Sequence, residues 1–373
     1  MIARIICIGY SVFIAVTILA LLTCAGCNDQ KSSNNSSLKH GGVDSGRVPS
    51  GNYSDPDRSA AKPPHTSGAF QKPLADRTQG MAKIETDGEP LLRYVEPVPG
   101  LKARSEFLFL NSNHMSDAVV VVTLPLDYQK HPDKKYPLVI AFGGAGECAR
   151  PPREGALAWA QYYRMDEAIK ALTSNHLESV DFRGLVTPEQ LTYFNNRLKK
   201  EPYSGVIVAC PYSPLISNPR EFEDPKYEHF IMDELVPLLK RRFRVEEGRV
   251  GVDGVSMGGA RSMFFGLKYP MTFFSIGSSQ GAFGPFMDTY SDLIRTNREI
   301  LKKRPIQLVT SDGDGMAPSV KKMSALLNSE GIPHTYLNLT GPHDYIFNQG
   351  PGSISLLMFH NTAKPRQSTG PVK

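Results

Sequence analysis

The sequence predicts an α/β fold in which helices cover both faces of a mostly parallel central sheet. From about residue 85 onward, short and continuous apolar runs alternate with helical segments, a pattern typical of parallel strands that are buried on both faces. Hydrophobic residues make up 40% of the 373 residues and charged residues 21%, which is the balance of a globular protein.

Composition excludes several other classes of protein. The net charge of +5 is too small to indicate a nucleic-acid partner, and no basic stripe interleaved with aromatic residues is present. Five cysteines are too few for a disulfide-rich scaffold. Only one long apolar run occurs, so a polytopic membrane protein is excluded as well.

That apolar run lies in residues 1–27, which resemble the signal segment of a bacterial lipoprotein. Arg4 precedes the run Ile5–Leu22, and small residues then lead to Cys27, a pattern typical of a processing site. We expect Cys27 to carry a lipid that anchors an exported protein to a membrane, on the periplasmic or cell-surface side. Because the run approaches the length of a membrane span, an uncleaved anchor is the alternative.

Residues 28–84 are rich in Ser, Gly, Pro and Asn and contain hardly any large apolar side chain. Such a segment cannot bury enough surface to offset the entropy lost on ordering, so we expect a flexible tether. The folded domain is then expected over residues 85–365, followed by a tail at 366–373.

Within this domain, the apolar runs predict strands and the amphipathic segments predict helices. A polar Asn-Ser-Asn turn separates the first two runs, which therefore predict a hairpin. Helices are predicted over residues 156–172, 188–199, 227–241 and 260–267, with Thr187 as the N-cap of the second. The predicted strands are residues 105–110, 118–124, 137–142, 206–209, 249–254, 306–310 and 335–339.

A glycine-flanked serine, Ser256, lies between a predicted strand and a predicted helix in the motif Gly254–Gly259 (GVSMGG). This order predicts a strand–turn–helix elbow, which lifts a serine oxygen out of the end of the sheet. The glycines suit a strained turn in which neighbouring backbones pass too close for a Cβ atom. The N-terminus of the following helix favours negative charge near the serine. Ser256 is therefore the candidate nucleophile.

A serine nucleophile needs a base, and in folds with this elbow the base follows the serine and the acid in the chain. His343 lies in a loop after the last predicted strand, where the functional groups of open α/β sheets gather. It is therefore the candidate base. His334, at the start of a strand, is the alternative, and His360 lies in a helical stretch.

The candidate acid lies in the loop that follows the strand at 306–310. Both Asp312 and Asp314 belong to this loop. We favour Asp314 because Gly313 permits a sharp turn toward the histidine, whereas Asp312 directly follows the strand. Asp312 stays the alternative, and an unused aspartate beside glycine commonly caps a local turn.

Backbone N–H groups are the candidate donors to an oxyanion. The N–H of Met257 follows from the geometry of the elbow, and the glycine-rich loop after residue 142 offers Gly143 and Gly144. A phosphate-binding loop is not indicated, because no Lys-Ser/Thr pair follows the glycines. No cluster of metal-ligand residues is present in the sequence, so no cofactor is implied.

These motifs resemble the esterase family of α/β-hydrolases, with its esterase-D-type, feruloyl-esterase-like and siderophore-esterase members. One departure is Phe142, where the family usually has histidine before the oxyanion glycines. The residues that carry the resemblance are Val122–Pro125, Tyr136–Val139, Phe142–Gly144, Asp233–Pro237, Arg249–Gly259, Tyr269–Pro270 and Gly341–Tyr345.

The resemblance implies an α/β-hydrolase fold and hydrolysis of a small-molecule or carbohydrate-linked ester through an acyl-serine. It implies Ser256, His343 and the aspartate of the 311–315 loop as the triad, without a cofactor. A serine peptidase, an acyltransferase and a non-catalytic surface binding protein are the alternatives that the residues leave open.

Residues 147–204 form an insertion after the oxyanion strand that is longer than a β–α–β crossover needs. We expect it to cap the acyl pocket, with residues 174–185 as a polar connection that can be exchanged without loss of folding. Trp159, Tyr162 and Tyr163 are expected to pack the insertion onto the sheet, and lining an aromatic substrate site is the alternative.

Cys148 and Cys210 follow two strands that the topology of the family places side by side. The resemblance therefore implies a disulfide between them in an oxidising compartment. Two buried free thiols are the alternative.

Overall fold

The computed structural model describes Glu89 and residues 91–364, apart from residues 102, 217 and 219–221. The described residues belong to one compact unit, Pro73–Lys373. The predicted lipid anchor at Cys27, the tether at 28–84 and the tail at 366–373 lie outside them. Among the described residues, no helix has the length and apolar character needed to cross a membrane.

The described residues form one sheet of nine strands. Sequence analysis missed the first and seventh strands, because the first alternates buried and exposed residues and the seventh, SIGSS, contains a single large apolar side chain. The strands are β1 (Leu92–Pro97), β2 (Ser105–Leu110), β3 (Val119–Thr123), β4 (Tyr136–Phe142), β5 (Ile207–Pro211), β6 (Val245–Gly254), β7 (Ser275–Ser279), β8 (Ile306–Gly313) and β9 (Thr335–Pro342).

The strand order is β1-β2-β3-β5-β4-β6-β7-β8-β9. The strands β1, β2, β3 and β5 pair antiparallel in that order, and every pairing from β5 through β4 to β9 is parallel. The predicted hairpin of β2 and β3 and the mostly parallel sheet are therefore confirmed. The carboxyl ends of the parallel strands meet at one edge of the sheet, which is where open α/β sheets bind ligands.

Helices follow the strands in the expected alternation, although sequence analysis missed the helices at Met287–Leu301 and Ala317–Ser329. The predicted helix at 156–172 breaks at Arg164, whose φ of 50° is left-handed, and the helix at 227–241 contains a π-helical segment. The helices are α1 (Ala145–Cys148), α2 (Pro152–Gly155), α3 (Met165–Thr173), α4 (Pro188–Lys200), α5 (Pro225–His229), α6 (Val236–Arg242), α7 (Met257–Lys268), α8 (Met287–Leu301), α9 (Ala317–Ser329), α10 (Tyr345–Phe347) and α11 (Ser353–Thr362), with π segments at Ala158–Tyr162, Phe230–Leu235 and Asn348–Gly352 and 3₁₀ turns at Ser179–Phe182 and Gly284–Phe286.

Both faces of the sheet are covered, as the apolar strands predict. Leu138 and Ile140 of β4 pack into one core together with α6, α7 and α8, whereas Val139 and Ala141 pack into a second core with α3, α4 and α11. Alternate side chains of a strand point to opposite faces, so β4 supplies both cores.

The insertion at 147–204 forms much of the second core. Leu177 and Phe182 are fully buried there, and the backbone of Phe182 lies against Gly350. Exchange of residues 174–185 without loss of folding stays a prediction, and it requires replacements for these side chains, because removing them would open cavities in the core. Trp159 and Tyr163 are likewise buried, as expected for residues that pack the insertion onto the sheet. Capping of the acyl pocket stays a prediction.

The predicted disulfide is wrong, since Cys148 and Cys210 are both free and buried. β4 and β5 are neighbours, as the family topology implies, but the Cys148 thiol turns back toward its own loop and lies 3.9 Å from the Gly143 carbonyl oxygen. Burial raises the pKa of Cys148 to about 11 and that of Cys210 to about 12. Both side chains are therefore protonated and unreactive at neutral pH.

Helix α7 lies directly against the end of β4, and Gly258 makes this approach possible. A Cβ atom on Gly258 would lie 2.4 Å from the Gly143 carbonyl oxygen and 2.5 Å from that of Phe142. Because both neighbours are backbone atoms, neither can move aside without shifting β4 or α7.

We expect Gly258→Ala to lower the free energy of unfolding by about 1–3 kcal/mol, the usual cost of overpacking a well-packed interior. Gly284→Ala is the matched control, because a Cβ atom there meets nothing within 4 Å. Denaturant unfolding of both variants measures the difference. Equal stability of the two variants would contradict the close packing of α7 on β4.

Candidate active site

The strand–turn–helix elbow predicted from the sequence is present at Ser256. β6 ends at Gly254 and α7 begins at Met257, and Ser256 between them has a φ of 58° and a ψ of −117°. A positive φ is costly for a residue with a Cβ atom and persists only where the surroundings hold it. Here the Ser256 N–H donates to the Ser279 carbonyl oxygen at 2.9 Å, and the Ala282 N–H donates to the Ser256 carbonyl oxygen at 3.0 Å.

The loops after β8 and β9 bring Asp314 and His343 to this elbow. Ser256 Oγ lies 3.0 Å from His343 Nε2, and His343 Nδ1 lies 2.7 Å from Asp314 Oδ1. The Asp314 side chain is inaccessible to solvent, whereas 29% of the His343 side chain is exposed. The three side chains that the sequence singled out therefore form one hydrogen-bonded chain that is open to solvent at its serine end.

Several donors hold Asp314 in place. Thr310 Oγ1 donates to Asp314 Oδ2 at 2.7 Å, and the Met316 N–H donates to Oδ1 at 2.7 Å. Burial alone would raise the pKa of Asp314, but the hydrogen bonds from His343, Thr310 and Met316 outweigh it and bring the pKa below its usual value. Asp314 is therefore a carboxylate at neutral pH.

The structure separates Asp314 from the alternative acid, Asp312. Asp312 Oδ1 accepts a hydrogen bond from the Gly341 N–H at 2.9 Å, so it holds the end of β9. The loop that follows β9 contains His343 and is called the histidine loop below. Gly341 has a φ of 134°, a conformation that favours glycine. Asp312 thus stabilises the start of the histidine loop, whereas Asp314 contacts the imidazole of His343.

The other two histidines that follow Ser256 lie elsewhere. His334 contacts Ser324 Oγ at 2.7 Å. His360 lies in the interior, where it contacts Ser275 Oγ at 2.8 Å and Asp253 Oδ2 at 3.1 Å. This second chain of Ser, His and Asp is buried, so it joins α11 to β6 and β7 and does not meet solvent.

The glycine-rich loop after β4, which begins at Gly143 and is called the oxyanion loop below, contains a hydrogen-bonded cluster that sequence analysis missed. The Gly144 N–H, one of the predicted oxyanion donors, donates to Tyr163 Oη at 3.0 Å. The Tyr163 hydroxyl donates to Glu147, and the Tyr345 hydroxyl donates to the other carboxylate oxygen of Glu147. Burial and the Glu147 carboxylate raise the pKa of Tyr163 well above its usual value, so the hydroxyl keeps its proton.

This cluster changes the expected use of the loop. The Gly144 N–H is occupied by Tyr163, while Gly143 contributes a carbonyl oxygen that packs against Gly258. Met257, the other predicted donor, is the first residue of α7 and directly follows Ser256. Glu147 lies three residues after Gly144 and Tyr345 two residues after His343, and that proximity in sequence is the signal that could have found them.

Residues 209–312 match the model of a family described as "Putative esterase". The matched segment contains Ser256 and Asp312, but it begins after Gly144 and ends before Asp314 and His343. No curated protein matches the sequence of the chain.

Among solved structures, a ferulic acid esterase is 15% identical, with 70% of this chain and 98% of that chain covered and a TM-score of 0.53. An S-formylglutathione hydrolase from Agrobacterium tumefaciens is 14% identical, with 72% and 98% covered and a TM-score of 0.47. The enterobactin esterase FES from Shigella flexneri is 17% identical, with 70% and 59% covered and a TM-score of 0.46.

The chain has an α/β-hydrolase fold, which it shares with the ferulic acid esterase. The match of residues 209–312 to that family supports an esterase enzyme. Within this fold, the elbow at Ser256 lies in the matched segment, whereas Asp314, His343 and Gly144 lie in parts of the chain outside it.

The ionisation of Asp314 makes the stability of the folded protein depend on pH. Because the pKa of Asp314 is lower in the folded protein than its usual value, the carboxylate contributes stability above the usual carboxyl pKa. That contribution is lost as the pH falls through the folded value. We expect the unfolding free energy of the wild type to fall more steeply than that of Asp314→Asn below about pH 4.

Denaturant unfolding at a series of pH values measures this difference. Thr310→Val removes one of the hydrogen bonds that lower the pKa of Asp314. The loss of unfolding free energy at acid pH should therefore be smaller in Thr310→Val than in the wild type and larger than in Asp314→Asn. Three parallel curves from neutral to acid pH would contradict the pKa shift.

Proposed function

We propose that the protein is a serine esterase that hydrolyses carboxylic esters through an acyl-enzyme on Ser256, with His343 as general base and then general acid. The observation that carries the proposal is the chain of Ser256, His343 and Asp314, with contacts of 3.0 and 2.7 Å. This is the arrangement that a serine nucleophile, its base and an orienting carboxylate need. It stands on an esterase-family fold, at the carboxyl edge of the parallel sheet.

In the first half of the reaction, Asp314 keeps the proton of His343 on Nδ1, so that Nε2 accepts the proton of Ser256. Oγ attacks the ester carbonyl and forms a tetrahedral intermediate. Collapse of this intermediate breaks the bond to the alcohol, which takes the proton from Nε2 as it leaves. The acyl group then remains on Ser256.

In the second half, His343 Nε2 removes a proton from water as the water attacks the acyl carbonyl. The second tetrahedral intermediate releases the acid and returns the proton to Ser256 Oγ. Because 29% of the imidazole side chain is exposed, water has access to the base once the alcohol has left.

The Met257 N–H and the N-terminus of α7 are proposed to stabilise the negative charge on the intermediate. The Gly144 N–H, the other donor expected from the sequence, donates to Tyr163. Its use in the reaction would require the Tyr163 oxygen to be exchanged for the substrate oxygen. Met257 is therefore the first oxyanion donor in this proposal.

The proposed substrates are small-molecule or carbohydrate-linked esters. Because a protein described as a ferulic acid esterase shares the fold, esters with aromatic acyl groups are the first substrates to test. A panel of short-chain, aromatic and sugar-linked esters would rank the substrates by kcat/KM.

We expect Ser256→Ala to lower kcat by at least about a thousandfold without loss of fold, because it removes the nucleophile. The matched control is Ser278→Ala, which removes a buried hydroxyl without a hydrogen-bond partner on β7 and should retain wild-type turnover. Labelling by a fluorophosphonate should likewise be lost in Ser256→Ala alone. Ester turnover that survives in Ser256→Ala would contradict the proposal.

The protein is also proposed to act at a membrane surface, held there by a lipid on Cys27. Support comes from the sequence of residues 1–27, which lie outside the described residues. In bacterial cells labelled with a fatty acid, we expect Cys27→Ser to lose the label and leave the membrane fraction. The control Cys24→Ser, three residues earlier, should keep the label and remain in the membrane fraction. Retention of Cys27→Ser in the membrane without label would instead indicate an uncleaved anchor.

A further inference from the structure

Gln280 lies where three segments of the candidate active site meet. It follows β7 directly, its side chain is fully buried, and its backbone N–H donates to the Val309 carbonyl oxygen of β8 at 2.6 Å. Gln280 has no role in the proposed ester hydrolysis, and it lies outside the motifs identified in the sequence.

The side-chain amide of Gln280 joins the acid loop to the histidine loop. Nε2 donates to Ser311 Oγ at 2.8 Å and to the Pro342 carbonyl oxygen at 3.1 Å. Ser311 lies in β8, three residues before Asp314, and Pro342 immediately precedes His343. Both protons of one amide group are thus used to tie together the segments that carry the acid and the base.

The neighbours of Gln280 hold the nucleophile. The Ser279 carbonyl oxygen accepts the Ser256 N–H, and the Ala282 N–H donates to the Ser256 carbonyl oxygen. The same four-residue segment, 279–282, therefore contacts the elbow through its backbone and the two other loops through the Gln280 side chain.

This arrangement is costly for stability. Gln280 has a left-handed φ of 49°, which glycine adopts without steric cost and glutamine does not. Its Oε1 atom is buried without a hydrogen-bond partner, which is unfavourable for a polar atom. Backbone strain and an unsatisfied polar atom at the same residue are typical of positions kept for function.

We infer that Gln280 is a positioning residue that sets the distance of His343 from Ser256 and Asp314 by holding the Pro342 carbonyl group. The inference rests on the proposed serine esterase function and deepens it. Gln280 touches no reacting atom, and it acts through the backbone of the histidine loop. Small displacements of a base from its nucleophile lower turnover strongly, because proton transfer needs hydrogen-bond distance.

The test compares Gln280→Met, which keeps the side-chain length but removes the amide, with Gln280→Gly, which also removes the cost of the left-handed φ. Gln307→Met is the matched control, because Gln307 is a buried glutamine of β8 whose amide donates to the Ser355 carbonyl oxygen at 3.4 Å. The readouts are kcat and KM on one ester, thermal unfolding, and the NMR resonance of the His343 Nδ1 proton.

Both Gln280 variants should lower kcat by about tenfold to a hundredfold with little change in KM, and Gln307→Met should keep the wild-type kcat. The downfield resonance of the Nδ1 proton, assigned by its absence in a His343→Ala protein, should be shifted or broadened only in the Gln280 variants. The unfolding temperature of Gln280→Gly should be no lower than that of Gln280→Met, while its kcat stays low. A merely structural role would not give a low kcat without a matching loss of stability.

The inference is overturned if either Gln280 variant keeps kcat and the Nδ1 resonance of the wild type, or if neither variant folds. Failure of the proposed esterase function has a different signature, since the wild type itself would then show no Ser256-dependent turnover. In that case the Nδ1 resonance alone decides whether Gln280 positions His343.

Discussion

The close approach of α7 to the end of β4 is the constraint on which the candidate site depends. Gly258 lies against two backbone carbonyl groups of the oxyanion loop, and a Cβ atom on Gly254 would meet the Gly258 carbonyl oxygen at 2.3 Å. With no side chain at either position, the chain turns from β6 into α7 within two residues. Ser256 is thereby forced into a strained conformation that lifts its side chain out of the sheet.

Strain at the elbow is offset by polar contacts that reach across the sheet. Backbone groups of residues 279–282 hold both sides of Ser256, and Gln280 extends this support to the loops of Asp314 and His343. Deeper in the fold, His360 joins Asp253 to Ser275. Asp253 in turn accepts the Gly254 N–H at 2.7 Å, so a buried polar network fixes the last strand residue before the turn.

The oxyanion loop is built around a buried carboxylate, which is unusual beside a site that is proposed to stabilise negative charge. Glu147 is satisfied by two tyrosine hydroxyls, from Tyr163 of the insertion and Tyr345 of the histidine loop. Because the pKa of both tyrosines is raised, both remain donors at neutral pH. The cluster therefore couples the insertion, the glycine-rich loop after β4 and the loop of His343 through one side chain, that of Glu147.

The sequence alone determined the features that depend on neighbours in the chain. The elbow at Ser256, most strands and the helix cap at Thr187 follow from residue spacing and local conformational preference, and the order Ser, Asp, His then limits the candidates to a few residues. Tertiary structure decided what depends on residues far apart in the chain. It placed Asp314 rather than Asp312 on His343, gave the Gly144 N–H to Tyr163, left Cys148 and Cys210 as free thiols, and buried Leu177 and Phe182 in the core. Each of these outcomes depends on distances set by the packing of separate loops on one sheet, and residue spacing carries no measure of those distances.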